Sequence, residues 1–122
     1  MQRDQHMTGP SWAGTAGAVL AALSIGLSAW AAHGLDPGPA RAGVQTASLY
    51  AFGHGVALAA LARAAVRRLG VIALAVLLLG TVLFCGSVAG GALLGWPTRL
   101  APAGGSLMML GWLLWAADAL RR

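Results

Sequence analysis

The stretch LGVIALAVLLLGTVLFCGSVAGGALLGW, residues 69–96, runs for 28 residues without one charged side chain. A helix needs about 20 mostly apolar residues to cross the roughly 30 Å of hydrocarbon in a bilayer. Lipid offers the backbone no hydrogen-bond partner, so a segment of this kind crosses it as a helix. The stretch therefore predicts a transmembrane helix and sets the fold class of the chain around it.

Three more apolar blocks flank this stretch, two before it and one after it. Turn-forming sequences separate them, GLDPGP at residues 34–39 and PTRLAP at residues 97–102. The expected helices cover about residues 12–33, 42–66, 69–96 and 100–120. The sequence thus predicts an all-α, polytopic membrane four-helix bundle, with a polar N-terminal tail over residues 1–10 and a single transmembrane domain over residues 11–122.

The composition agrees with this class. Of the 122 residues, 58% are hydrophobic and 9% are charged, whereas a soluble domain carries roughly 25% charged residues. A net charge of +5 can indicate a nucleic-acid partner. Here, however, the arginines lie between apolar blocks, where they orient membrane proteins. We therefore expect membrane lipids, and no nucleic acid, as partners.

The distribution of arginine predicts the orientation. With four spans, both termini and the connection after the second block share one side of the membrane. That side carries six arginines and the other side two. Because Lys and Arg collect in cytoplasmic loops, both termini are expected in the cytoplasm. The six are Arg3, Arg63, Arg67, Arg68, Arg121 and Arg122, and the two are Arg41 and Arg99.

Small residues recur at helical spacing inside the apolar blocks. Helices in lipid pack through close backbone contact, which glycine permits. Glycine also weakens a helix, so packing is the simplest reason for its frequency here. Contacts within the chain are favoured over a homo-oligomer, which stays the alternative. The expected packing glycines are Gly14, Gly17, Gly86, Gly90, Gly91, Gly95 and Gly111.

Polar residues of the four blocks fall at a similar expected depth. In the second block, Thr46, Tyr50 and His54 follow one another at intervals of four residues and share one helix face. With a rise of about 1.5 Å per residue, most of the polar side chains lie in the outer half of the membrane. This predicts a polar pocket open to the outside. Its candidate residues are His33, Thr46, Tyr50, His54, Cys85, Ser87, Gly104, Gly105 and Ser106.

His54 is the strongest candidate for a functional group, because ionisable residues within a membrane usually have a role. It could lock helices together or bind a ligand or proton. Together with His33 it could also hold a haem iron, although the chain has no CxxCH motif. A zinc site needs three or four ligands, and Cys85 has no second thiol. The acids lie at loops or helix ends, where Asp118 can pair with Arg122. We expect no catalytic residue, metal or cofactor.

Several segments together resemble the small, uncharacterised YgdD family of bacterial inner-membrane proteins, and a similar small eukaryotic transmembrane protein. They are AAHG at residues 31–34, Tyr50 with His54, GTVLFCGS at 80–87, and LAPAGG at 100–105 followed by GW at 111–112. The resemblance covers about residues 12–118. It implies four helices in the bacterial inner (plasma) membrane and carries no established reaction.

Three functional hypotheses remain open from the sequence. The first is a non-enzymatic scaffold or accessory subunit, whose partners would be other membrane subunits or further copies of this chain. The second is the binding or transport of a small neutral or lipidic molecule through the outer-leaflet pocket. The third is a haem-linked or quinone-linked redox role.

Overall fold

The computed structural model describes residues 11–121, and these form four α-helices. They are α1 (Trp12–Gly34), α2 (Pro39–Leu61), α3 (Arg68–Leu94) and α4 (Leu100–Leu120), with a 3₁₀ turn at Ala62–Ala64 after α2. The all-α class with four helices is confirmed. The polar tail expected at residues 1–10 and the side chain of Arg122 lie outside the described residues.

Local chemistry explains where the helices begin and end. The Ser11 hydroxyl accepts a hydrogen bond of 3.0 Å from the Gly14 amide and caps the start of α1. Gly95 ends α3 in the left-handed region, with φ at 69°, and its amide donates to the Gly90 carbonyl. A residue with a Cβ rarely adopts this conformation. Gly95 therefore serves as the cap of a helix, whereas the sequence predicted that it packs against another helix.

The second helix differs most from its expected limits of 42–66. It begins at Pro39, because a proline in the first turn lacks only an amide that the helix does not use. It ends at Leu61, where the 3₁₀ turn leads into an extended Arg67 with ψ at 158°. From the sequence, Pro39 is expected only to break a helix, and the change of direction before Arg67 is not predicted.

Helices that follow one another in the chain pack antiparallel. Gly17 of α1 lies against Gly55 of α2, and Gly80 of α3 lies against Gly104 of α4. α2 and α3 also pack on each other. Within residues 11–121, α1 and α4 have no comparable contact. The packing therefore runs in chain order with α1 and α4 at its two ends, and not around the closed ring that the word bundle implies.

One buried apolar cluster joins all four helices, towards the end of the molecule where α1 and α3 begin. Large apolar side chains also cover the outside, as Leu23, Leu49 and Leu113 show with exposures of 60%, 70% and 66%. Apolar surface of this extent suits lipid better than water. The buried cluster consists of Ala13, Leu58, Leu74, Leu77 and Met108.

Three of the four described helices, α1, α3 and α4, are long and apolar enough to cross a membrane. This composition is that of a multi-pass membrane protein. α2 has 23 residues, which is long enough, but its polar residues keep it out of that group. It is the block that carries Gln45, Thr46 and His54.

Candidate functional site

A cleft between α2, α3 and α4 brings Tyr50 and His54 together with aromatic and methionine side chains. We call it the aromatic cleft. Its volume is about 370 Å³, near the lower end of the range of small-molecule sites. Its lining residues are Tyr50, His54, Phe84, Gly105, Met108, Met109 and Trp112.

Both ring nitrogens of His54 have partners within the chain. Nδ1 lies 2.9 Å from the Tyr50 carbonyl oxygen, one turn earlier in α2. The indole Nε1–H of Trp112 in α4 donates to Nε2 over 3.1 Å. A carbonyl only accepts and an indole only donates, so Nδ1 carries the proton and Nε2 does not. His54 is therefore a neutral imidazole that joins α2 to α4.

Aromatic rings extend this contact to α3. The Tyr50 ring meets the Phe84 ring edge-on, with centroids 5.0 Å apart and planes at 64°. The Tyr50 and His54 rings stack at 6.1 Å, and those of His54 and Trp112 lie 5.9 Å apart. Such edge-on and offset pairs are favourable geometries for aromatic groups. The four rings thus link three helices through one layer of contacts.

Gly104 lets α4 approach α3 beside this layer. A Cβ built on Gly104 would lie 2.8 Å from the Phe84 Cα and 2.9 Å from the Gly80 carbonyl oxygen. Its neighbour Gly105 faces the Phe84 ring, whose nearest atom is 3.9 Å from the equivalent position. The PAGG segment, residues 102–105, therefore sets the distance between α3 and α4 and, through Phe84, the position of Tyr50.

The structure brings together Tyr50, His54 and Gly105, with Gly104 at the adjoining helix contact. His33 lies elsewhere, exposed in the last turn of α1. Since Gly17 lies opposite Gly55, the sixteen residues from Gly17 to His33 place this histidine about 24 Å further along the helix axis. The two histidines therefore cannot hold one haem iron between them in this arrangement.

The other predicted pocket residues also lie outside the aromatic cleft. Thr46 and Ser106 are exposed, and Cys85 is half-buried. Ser87 is buried, and its hydroxyl has no hydrogen-bond partner within residues 11–121. A shared depth in the membrane gives no information about which side of its helix a residue occupies. The expected single pocket is therefore not formed by the full set of nine residues.

Of the glycines predicted to pack helices together, some lie at helix contacts and others do not. Gly17 and Gly111 lie at helix contacts, and a Cβ on Gly111 would be 2.9 Å from the Leu77 amide nitrogen. Gly14 faces its own cap at Ser11, while Gly90 and Gly91 face residues 96–98 after α3. A Cβ on Gly86 would meet no atom within 4 Å. Gly86, Gly90 and Gly91 therefore do not join helices, although the sequence predicted that they would.

Gly55 and Gly80 also lie at helix contacts and were not among the predicted packing glycines. A Cβ on Gly55 would lie 2.7 Å from the Gly17 carbonyl oxygen, and one on Gly80 would lie 2.6 Å from the Met108 amide nitrogen. The sequence does indicate a packing role for Gly55, because Ala51, Gly55 and Ala59 form a row of small residues at intervals of four. No such pattern in the sequence distinguishes Gly80 from its neighbours.

A second, larger cleft lies between α1 and α2, towards the loop at residues 35–38. It measures about 570 Å³ and was not predicted. We call it the α1–α2 cleft. Its lining residues are Ser24, Ile25, Ser28, Ala29, Ala32, Gln45, Ser48, Leu49 and Phe52.

The burial of Asp118 was also not predicted from the sequence. This acid, in the last turn of α4, is fully buried. It faces Gly70 of α3, where a Cβ would lie 3.0 Å from the carboxylate Oδ2. The expected partner Arg122 lies outside the described residues. A charge at a helix end is usually solvated, which is why the sequence gave no indication of burial.

Replacing Trp112 with phenylalanine is expected to lower the free energy of unfolding by about 0.5–1.5 kcal/mol, the range for hydrogen bonds between membrane helices. The change keeps a ring in the cleft but leaves Nε2 of His54 without its donor. Reversible unfolding in detergent, followed by circular dichroism, measures the loss. Trp12→Phe is the matched control, because Trp12 is exposed at the start of α1. Equal effects of the two changes would contradict the His54–Trp112 contact.

Within residues 11–121, no group of three His, Cys, Asp or Glu side chains could hold a metal ion. Nε2 of His54, the atom that an iron would use, is engaged by Trp112. The side chains that line the aromatic cleft suit helix association and weak contact with an apolar or aromatic group.

Comparison with known proteins gives one match. No curated protein and no solved structure matches the chain. A family model described as protein of unknown function, DUF423, matches residues 27–105, which is more than half of the chain. The match includes Tyr50, His54, Phe84 and the PAGG segment, and it is compatible with the resemblance to the YgdD family. The chain therefore belongs to the DUF423 family.

Proposed function

We propose that the chain is a non-enzymatic protein of the bacterial inner membrane that crosses the bilayer four times and serves as a small scaffold or accessory subunit. The observation that carries this proposal is the bonding of His54. Both ring nitrogens of this ionisable group in α2 are hydrogen-bonded, Nδ1 to the Tyr50 carbonyl in α2 and Nε2 to Trp112 in α4. A residue engaged in this way fits a structural role better than proton transfer or ligand binding.

The packing of α2 supports a fourth crossing. α2 lies antiparallel to α1 and packs on α3, and both of these are long and apolar enough to span a membrane. Its 23 residues extend about 34 Å, which matches the hydrocarbon thickness. A helix that packs along two spanning helices and reverses direction at each end crosses with them.

The arginines support cytoplasmic termini. The Arg67 guanidinium, before α3, donates to the backbone carbonyl of Arg121 at the end of α4. This contact puts the arginines that follow α2 at the same end of the molecule as Arg121. Arg41 lies in the first turn of α2 and Arg99 just before α4, at the other end of the molecule from Arg67 and Arg121. The larger group favours the cytoplasmic side.

A fluorescent protein fused after Arg122 tests both parts of the proposal. It is expected to fluoresce, because these reporters mature in the cytoplasm, and to elute from mild detergent in a complex larger than a monomer with a fixed stoichiometry of a second membrane protein. An alkaline phosphatase fused at the same place is expected to be inactive. An active phosphatase would overturn the orientation. A fusion that elutes only as a 12.3 kDa chain plus its reporter would overturn the accessory role.

A further inference from the structure

Four polar side chains line the α1–α2 cleft, and within residues 11–121 two of them have hydrogen-bond partners and two do not. Ser24 donates to the Ala21 carbonyl over 2.7 Å, and Ser48 donates to the Val44 carbonyl over 2.8 Å. Gln45 and Ser28 line the same cleft, and neither makes a hydrogen bond to another of residues 11–121. In hydrocarbon, an amide or hydroxyl without a partner is costly. Both side chains are exposed, so a molecule in the cleft can offer them hydrogen-bond acceptors at this depth.

The chemistry along the cleft changes in steps from its rim inwards. Arg41, Gln45, Leu49 and Phe52 occupy one face of α2 at successive turns, which lie about 5–6 Å apart. The Arg41 guanidinium donates to the Ala32 carbonyl over 3.0 Å, and Ala32 belongs to the cleft wall. The charge therefore stands at the rim, the amide one turn below it, and apolar side chains deeper still.

A glycerophospholipid has the same order of groups. Its phosphate is anionic, its glycerol esters offer carbonyl acceptors one level deeper, and its acyl chains are apolar. A guanidinium has five N–H donors, so Arg41 can hold Ala32 and still bind a phosphate. Gln45 and Ser28 supply the donors at the ester level, and Leu49 and Phe52 supply an apolar wall for one chain.

We propose that the α1–α2 cleft binds one phospholipid from the leaflet on the side of the 35–38 loop. The volume of about 570 Å³ lies within the range of ligand sites. A second copy of this chain fits less well. Two copies inserted in the same direction and related by a twofold axis would bring one Arg41 against the other, and like charges repel. The proposal rests on the proposed membrane location of the chain.

Titration of the purified, delipidated protein followed by native mass spectrometry tests this site. The probes are palmitoyl-oleoyl phosphatidylglycerol, the diacylglycerol with the same chains, and inorganic phosphate. One phosphatidylglycerol is expected per chain. Arg41→Gln is expected to weaken its binding about tenfold, as loss of a charge-assisted hydrogen bond does, and to leave diacylglycerol binding unchanged. Gln45→Leu is expected to weaken both lipids.

Two matched controls separate this site from general lipid association. Arg99→Gln removes the other arginine of the same side, and Thr46→Val changes the exposed neighbour of Gln45. Both are expected to bind phosphatidylglycerol like the unaltered chain. Equal binding by Arg41→Gln and Arg99→Gln would overturn the proposal, as would displacement of the lipid by inorganic phosphate or a dimer mass that excludes lipid. A chain that inserts with the proposed topology but shows no such lipid would refute this site alone.

Discussion

Replacing Gly104 with alanine is expected to lower the free energy of unfolding by about 1–3 kcal/mol, the usual effect of overpacking a tight contact. The new methyl group would lie 2.8 Å from the Phe84 Cα and 2.9 Å from the Gly80 carbonyl oxygen. These are backbone atoms, so no side chain can rotate to make room. α3 and α4 must then separate, and Phe84 moves away from Tyr50.

Gly105→Ala is the matched control for this change. The two glycines are neighbours in the same helix, but the nearest atom to a Cβ on Gly105 is 3.9 Å away. Alanine is the better helix former by roughly 0.5–1 kcal/mol, so the control is expected to be neutral or slightly more stable. Unfolding in a graded series of detergent mixtures measures both variants. Equal stabilities would show that α3 and α4 do not meet at Gly104.

A second loss of about 1–3 kcal/mol is expected for Gly17→Ala, for the same physical reason. A Cβ on Gly17 would lie 2.7 Å from the Ala59 amide nitrogen and 2.9 Å from the Leu58 Cβ. Gly55 faces it from α2 at similar range. The methyl group would push α1 off α2, and Leu58, which is fully buried, would lose part of its packing.

Thermal unfolding of purified protein gives the size of this effect, with Gly26→Ala as control on the same helix. No atom lies within 4 Å of a Cβ built on Gly26, so that variant is expected to keep or slightly raise the midpoint. The double variant Gly17→Ala with Gly55→Ala is expected to lose less than the sum of the single losses, since one separation accommodates both methyl groups. Strict additivity would contradict a shared crossing point.

The number of helices and most of their limits could be predicted from the sequence, because the apolar blocks and the turn residues between them are local signals. The limits of α2 could not. Pro39 both breaks a preceding helix and starts a following one, and the choice depends on the path of residues 34–38. The end at Leu61 is set by the reversal into α3, which is a tertiary feature.

Most of the candidate site that could be predicted lies on one helix, with Gly105 of α4 as the exception. The four-residue spacing of Tyr50 and His54 fixes their shared face within α2, whatever surrounds it. Trp112 and Phe84 belong to other helices, and their arrival at this face depends on the rotation of α3 and α4. That rotation is set by the glycine contacts, and sequence spacing alone did not distinguish Gly80 and Gly104 from the exposed Gly86.

Because each helix packs mainly on a helix next to it in the chain, assembly can keep pace with synthesis. α1 and α2 can close as a hairpin once Leu61 has left the ribosome, and α3 and α4 can close on each other afterwards, with contacts of short sequence separation that form quickly. The main packing partner of each helix is therefore synthesised directly before or directly after it. Asp118, in the last turn of α4, becomes buried only when α4 has packed on α3.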